Sequence, residues 1–284
     1  MLSLMALDSR IASHDVPDSF IFGASISCYY EVDYWKRLID TDVVPFHFDS
    51  SSEGVKSLRL KLEYLHNTGV DVSNALIIID PKIIEAPLVG DDILSADHPV
   101  LCGLWYWPQW HMRYLKAFYD PAFLESYLPS RFTGYNHKYG KREIFERQPM
   151  EYDYYKNEES IPLWDAEIKG STAAFYVSRD FPACRELHCS NESRIDQERE
   201  LEYRRIAQLL GQTDYHVVIS PMLDLDTLSW RDDCLLREIF GAERYHNFSV
   251  EMAHVALCDS NWYDRRHYRA PVAREIMDRV YRRD

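Results

Sequence analysis

Two short runs of apolar residues constrain the fold of this chain more than any other feature. The first is Ala75-Leu76-Ile77-Ile78-Ile79, and the second is the nearly apolar Tyr215-His216-Val217-Val218-Ile219. A strand that is apolar on both faces is typical of a parallel sheet covered by helices on each side. Segments with the helical spacing of apolar residues lie near both runs, at residues 55–65 and 193–210. This alternation predicts an α/β chain with a parallel central sheet.

The same patterns place the remaining elements. We predict further strands at residues 19–23 and 43–48, with a short one near residues 244–249, and further helices at residues 29–39, 227–240 and 271–281. Pro45 favours an edge position for its strand, since proline cannot donate to a ladder. Ser50 and Glu53 fit a capping box before the helix that starts at Val55.

The segment from Ser19 to Ser25 indicates a strand that ends in a tight turn. An apolar run, Phe20-Ile21-Phe22, breaks at Gly23 and is followed at once by Ala24 and Ser25. Glycine can take backbone angles closed to other residues, so such a turn can expose a serine Oγ and aim the serine N–H at the same point. We therefore take Ser25 as the candidate nucleophile. The alternative is that the small residues only make a turn.

The candidate base lies near the other end of the chain, in Asp264-x-x-His267. A carboxylate three residues before a histidine can accept the Nδ1–H, which fixes the tautomer and leaves Nε2 free to deprotonate a serine. We expect Asp264 and His267 to act with Ser25, although many pairs with this spacing are surface pairs.

The middle of the chain, residues 91–161, is rich in aromatic side chains. We interpret it as an inserted subdomain or lid within one domain that spans residues 1–284. Aromatic rings with polar edges stack on sugar rings, so Trp105, Trp107 and Trp110 are candidate substrate-binding residues. The alternative is that the aromatic residues form the insert's own core.

Charge and composition exclude several classes of function. The formal net charge is −14, which would repel a phosphate backbone, so we expect no nucleic-acid partner. No apolar run approaches the roughly 20 residues of a membrane helix, and we expect no membrane span.

The six cysteines lack metal-ligand pairing, the nearest approach being Cys184-x-x-x-His188-Cys189, so we expect no metal and no cofactor. The first seven residues make no convincing signal peptide, which favours a cytoplasmic location and leaves a removed leader as the alternative.

Together, Gly23-Ala24-Ser25 and Asp264-x-x-His267 resemble the SGNH hydrolase superfamily, also called GDSL-like esterases. The tail is the more specific part: Tyr245-His246-Asn247-Phe248-Ser249 and Asn261-Trp262-Tyr263-Asp264 look like a bacterial branch associated with surface polysaccharides. The resemblance covers about the first 85 and last 75 residues. It implies a flavodoxin-like, three-layer α/β/α fold with an aromatic-rich insert.

The resemblance also implies an oxyanion hole made by the N–H groups of Ser25 and Gly54, with Ser52 as the weaker match for the second donor. The family's third block supplies an asparagine side chain, and this chain has Asp80-Pro81 there. An ionised Asp80 would repel an oxyanion. Three alternatives remain: Asp80 is protonated, Asp80 has another role, or the oxyanion hole is built from other groups.

We therefore expect a serine esterase or acyltransferase that acts on an O-acyl ester, above all an O-acetyl ester of a carbohydrate. The alternatives are a degenerate member of the family that binds a glycan or a protein, and a structural role in a biosynthetic assembly. The sequence leaves the oligomeric state open.

Overall fold

The computed structural model describes residues 2–39, 42–88, 97–121, 123–125, 127–128, 151–177, 188–189 and 192–281. Within these ranges the strands are β1 (Ser19–Gly23), β2 (Pro45–His47), β3 (Asn74–Ile79), β4 (Glu151–Asp153), β5 (Glu158–Ser160), β6 (His188–Cys189), β7 (Asp214–Ile219), β8 (Asp226–Thr227) and β9 (Tyr245–Asn247). The helices are α1 (Leu2–Ala12), α2 (Val32–Ile39), α3 (Val55–Asn67), α4 (Pro99–Cys102), α5 (Trp107–Phe118), α6 (Pro162–Gly170), α7 (Thr172–Val177), α8 (Gln197–Leu210), α9 (Trp230–Phe240), α10 (Phe248–Glu251), α11 (Ala253–Ala256) and α12 (Ala270–Tyr281).

Five parallel strands form the central sheet, in the order β2-β1-β3-β7-β9. The predicted parallel sheet is therefore confirmed, and the strand that contains Pro45 lies at its edge. Side chains alternate across this sheet, so that Phe20 and Phe22 enter one apolar cluster while Ile21 enters the other.

Helices cover both faces of the sheet. The cluster around Phe20 and Phe22 is closed by α1, α3, α8 and α9, and the cluster around Ile21 by α2, α12 and the short helices after β9. This arrangement is consistent with a three-layer α/β/α fold. No helix of the described ranges has both the length and the apolarity needed to cross a bilayer.

One predicted helix cap and three predicted helix starts are corrected. The helices predicted from residues 29 and 227 begin at Val32 and Trp230. The capping box of Ser50 and Glu53 is wrong: Gly54 is the N-cap of α3 and makes no side-chain capping bond. Glu53 is instead buried in an ion pair, because a lysine on α3 reaches it. The helix predicted from residue 193 begins at Gln197, since the Asp196 side chain accepts the N–H of Arg199 and so caps the helix there.

The predicted insert is described only in part, because residues 91–96, 122, 126 and 129–150 lie outside the described residues. Its last portion forms the antiparallel hairpin of β4 and β5. This hairpin attaches to the sheet edge through Asn157, whose amide donates to the His47 carbonyl at 2.6 Å and to Asp49 Oδ1 at 2.7 Å. The Lys156 carbonyl, in the same hairpin, also accepts the His47 N–H at 3.0 Å. The hairpin therefore lies beside the carboxyl ends of β1 and β2.

Candidate active site

Ser25 is the first residue of a short 3-10 helix, Ser25–Tyr29, that follows β1 directly. Ser27 holds the turn, because its N–H and its Oγ both donate to the Ala24 carbonyl, at 2.8 and 2.7 Å. The Oγ of Ser27 also lies 3.1 Å from Nε2 of the buried His47. The turn is thereby fixed from inside while Ser25 stays partly exposed.

Gly23 is required by the close packing of this turn. A Cβ at that position would lie 2.8 Å from the Ile78 carbonyl oxygen and 2.8 Å from Ser27 Cβ. Both distances are shorter than van der Waals contact, so any other residue would displace the turn or the neighbouring strand. The glycine that breaks the sequence pattern is therefore the residue that lets Ser25 approach the sheet end.

The turn that carries Asp264 and His267 is clamped by two fully buried aromatic residues, Trp262 and Tyr268. They pair as an antiparallel bridge, and the Tyr263 N–H donates to the His267 carbonyl at 2.8 Å. The Tyr268 hydroxyl hydrogen bonds to Tyr30 and to a serine at the end of β7, each at 2.7 Å. These contacts fix the turn against the core of the sheet.

The two turns meet. Nε2 of His267 lies 2.8 Å from Ser25 Oγ, and Nδ1 lies 2.9 and 2.8 Å from Oδ1 and Oδ2 of Asp264. Oδ1 of Asp264 also accepts the backbone N–H groups of Arg266, at 2.7 Å, and of His267, at 3.0 Å. An ionised carboxylate only accepts, so the proton of a neutral imidazole sits on Nδ1 and Nε2 faces Ser25 as an acceptor.

Electrostatics keep that carboxylate ionised. Burial opposes the charge on Asp264, but the hydrogen bonds from His267 and from the two backbone N–H groups outweigh burial and lower its pKa. The predicted trio of Ser25, His267 and Asp264 is thus brought together in the order that a nucleophile, a base and an orienting acid require.

Gly54 lies across a small cavity from the nucleophile turn. The cavity has a volume of about 30 Å³, and its walls include Gly23, Ala24, Glu53, Gly54 and Asp80. Gly54 is the N-cap of α3, where the first backbone N–H groups of a helix have no partner within the helix. The carboxyl ends of β1 and β3 and the start of α3 therefore meet at one place.

Asp80 is buried at the end of β3, and its Oδ1 accepts the Lys82 N–H at 2.8 Å. Burial raises the pKa of this carboxyl, although the Lys82 N–H and the charges of Lys82 and Arg266 act in the opposite direction. The shift favours the neutral form, which reduces the repulsion that an oxyanion would meet here.

A buried ion pair lies directly behind Gly54. Nζ of Lys61 donates to Glu53 Oε2 at 2.6 Å and to the Phe48 carbonyl at 2.8 Å, and both charged side chains are 2% exposed. Burial raises the pKa of Glu53 to about 7, against the opposing charge of Lys61. The pair fixes the segment that precedes α3, and with it the position of Gly54.

A larger cleft of about 760 Å³ lies beside the turns that carry the trio, although Ser25, Asp264 and His267 do not themselves line it. Its walls are the 3-10 turn, the β4–β5 hairpin and the start of the Asp264 turn, and its lining includes Cys28, Tyr29, Glu31, Glu151, Tyr152, Asp153, Tyr154, Tyr155, Glu158, Glu159, Asp165 and Tyr263. The Tyr29 ring joins the cleft to the trio, because its centroid lies 6.1 Å from that of His267 and 5.0 Å from that of Tyr263.

The three nominated tryptophans lie elsewhere in the described structure. Trp105 is 95% exposed, whereas Trp107 and Trp110 pack edge-on against each other and against His98. Within the described ranges, no contact joins any of them to Ser25, His267 or Asp264. Their role in substrate binding stays a prediction.

Sequence reasoning did not nominate Tyr29, Tyr263 or Glu159, which border the cleft nearest the trio. Tyr29 and Tyr263 each stand within four residues of a nominated catalytic residue, and this spacing was the signal available. Glu159 carried no such signal, because only the fold of the hairpin brings residues 151–160 to the end of β1.

Comparison of the chain with protein-family models, with curated proteins and with solved structures finds no match. The site therefore has to be interpreted from its own geometry.

Proposed function

We propose that the protein is a serine esterase or acyltransferase of the SGNH type that acts on O-acyl esters, with O-acetyl esters of carbohydrates as the favoured substrates. The observation that carries this proposal is the continuous hydrogen-bond chain from Ser25 through His267 to Asp264. A surface pair of aspartate and histidine has no reason to align its free nitrogen with a serine 242 residues away.

In the proposed reaction, His267 Nε2 takes the Ser25 proton as the Oγ attacks the ester carbonyl. The resulting tetrahedral species collapses when the protonated His267 gives that proton to the departing sugar oxygen, which leaves an acyl group on Ser25. A water molecule in hydrolysis, or an acceptor hydroxyl in transfer, then attacks this acyl group with His267 again as the base. Asp264 stabilises the imidazolium in both steps.

The negative charge on the former carbonyl oxygen requires donors. We assign this role to the N–H groups of Ser25 and Gly54, which stand at the starts of two helical segments. Asp80, on the wall of the same cavity, stands in place of the family's asparagine, and burial raises the pKa of its carboxyl toward the neutral form that can donate an O–H. The small volume of that cavity favours a short acyl chain such as acetyl.

Covalent labelling tests the proposal directly. We expect a fluorophosphonate to add to one serine, detected by intact mass and mapped to Ser25, and we expect p-nitrophenyl acetate to be hydrolysed. Ser25→Ala and His267→Ala should abolish both signals, whereas Ser9→Ala, at an exposed serine on α1, should leave both unchanged. A Ser25→Ala protein that retains full turnover would refute the assignment.

One observation favours a second candidate, a family member that binds a glycan without turning it over. Asp80-Pro81 stands where the family carries its asparagine, and an ionised Asp80 would weaken the oxyanion hole. Calorimetric titration of the wild type and of Ser25→Ala with free and acetylated oligosaccharides separates the two. Binding by both proteins without release of acetate supports the binding role.

A further inference from the structure

The cleft beside the trio carries unbalanced negative charge. Of its six acidic residues, Glu31 is paired with Arg274, Asp165 with Arg269 and Asp153 with Lys156, so these three are neutralised locally. Burial raises the pKa of Glu158 to about 7, which weakens its charge. Glu151 and Glu159 have no ion pair among the described residues, and no lysine or arginine of those residues lines the cleft. The uncompensated charge therefore lies on the β4–β5 hairpin.

Glu159 brings this charge close to the reaction centre. Burial raises the pKa of its carboxyl, and the neighbouring Asp49 adds to that effect, while the charge of His267 lowers it. Glu159 lines the cleft together with Tyr29, whose ring centroid lies 6.1 Å from that of His267, so a charge on Glu159 would act on a substrate that extends from Ser25 into the cleft.

The remaining walls are suited to an uncharged, hydroxyl-rich molecule. Tyrosine rings contribute much of the lining: Tyr29, Tyr152, Tyr154, Tyr155 and Tyr263. Such rings offer an apolar face for a sugar ring, and carboxylates accept hydrogen bonds from sugar hydroxyls. At about 760 Å³, the cleft falls within the size range of small-molecule sites.

We infer that the cleft favours sugar esters without negative charge over esters of uronic acids and of phosphorylated sugars. This inference rests on the proposed esterase function and adds to it a rule of substrate selection. The discriminating residues are Glu151 and Glu159 on the hairpin. They act on the substrate's charge and take no part in the bond-making steps.

The size of the effect follows from Coulomb's law. A carboxylate at roughly 7 Å from a substrate charge, in a cleft filled with water, changes the relative rate by about threefold. Two such residues together give a preference of about tenfold for a neutral ester. The preference should shrink in high salt, because the charges are accessible to ions.

The experiment compares peracetylated glucuronic acid with its methyl ester, which have the same ring and the same acetyl groups and differ in one charge. Acetate release gives kcat/KM for each. We expect the wild type to prefer the methyl ester about tenfold at low salt, and Glu151→Gln/Glu159→Gln to lower this ratio to between about one and three. Glu198→Gln, on the exposed side of α8 and outside the cleft, should keep the wild-type ratio.

Equal rates on the two substrates, with acetate release that depends on Ser25, would overturn the inference and leave the esterase intact. A preference that the double variant retains would also overturn it, because the hairpin would then not be its source. No release from either substrate, together with no labelling of Ser25, would remove the proposed function and this inference with it.

Discussion

Replacing Asp264 with asparagine is the sharpest test of how the site works, because the structure dictates how the amide must be oriented. Oδ1 of Asp264 accepts two backbone N–H groups, from Arg266 and His267. In Asp264→Asn the amide oxygen has to keep that position, since an NH₂ group there would meet two donors. The NH₂ group is then left facing His267 Nδ1.

An N–H donor at that place inverts the tautomer of His267. The amide oxygen stays 2.9 Å from Nδ1, but an N–H donor at 2.8 Å opposes a proton on Nδ1, so we expect the ring proton to move to Nε2 and to point at Ser25 Oγ. The imidazole can then no longer accept the serine proton, although every heavy atom stays in place. We expect kcat to fall by about 10³ to 10⁴, which corresponds to about 4 to 5.5 kcal/mol of transition-state stabilisation.

Folding should be affected far less. The asparagine retains both backbone contacts, and the Asp264 side chain is 41% exposed, so the unfolding free energy should change by at most about 1 kcal/mol. This difference between activity and stability distinguishes a tautomer effect from a damaged turn.

The assay is hydrolysis of p-nitrophenyl acetate by the wild type and by Asp264→Asn, with urea unfolding of both proteins. Nitrogen NMR of the His267 ring should show the proton moving from Nδ1 to Nε2. Activity of Asp264→Asn within about tenfold of the wild type, together with the inverted tautomer, would refute the reasoning, since His267 would then not act as the base.

Three further predictions concern the surroundings of the trio. Gly54→Pro removes the proposed oxyanion N–H and should lower kcat about a hundredfold, whereas Gly54→Ala, whose Cβ would only touch the Pro87 carbonyl oxygen at 4.0 Å, should stay within about threefold in the same ester assay. Lys61→Met leaves Glu53 buried without its cation and should lower the unfolding free energy by about 3 to 5 kcal/mol in urea. The double variant Lys61→Met/Glu53→Gln should recover at least half of that loss, and no recovery would contradict the pairing. Burial raises the pKa of Glu158 from 4.5 to about 7. Between these two pH values the folded protein holds a proton that the unfolded chain has released. The contribution of Glu158 to the unfolding free energy therefore falls as the pH rises from about 4.5 to about 7. Glu158→Gln removes this pH dependence. The unfolding free energy of the variant, relative to that of the wild type, should therefore rise by about 2 kcal/mol from about pH 5 to about pH 8. If urea unfolding gives the same difference between the two proteins at both pH values, Glu158 titrates normally and the prediction is wrong.

The sequence by itself determined the layered architecture. The runs at residues 75–79 and 215–219 are apolar on both faces, and such strands are stable only with helices on each side. Gly23 marked the turn of Ser25 for a local reason as well, since the space beside it excludes a side chain. The short spacing of Asp264 and His267 likewise let their mutual hydrogen bond be predicted.

Only the tertiary structure decided which distant residues meet. Periodicity identifies the buried face of an element but not the element that covers it, so the 2.8 Å contact between Ser25 and His267 follows from the packing of both turns against one sheet end. The same limit explains the error at Glu53, which had the spacing of a capping residue and is instead paired with Lys61 across a buried contact. The cleft depends on the tertiary structure alone, because residues 151–160 reach the site only when Asn157 ties their hairpin to the sheet edge.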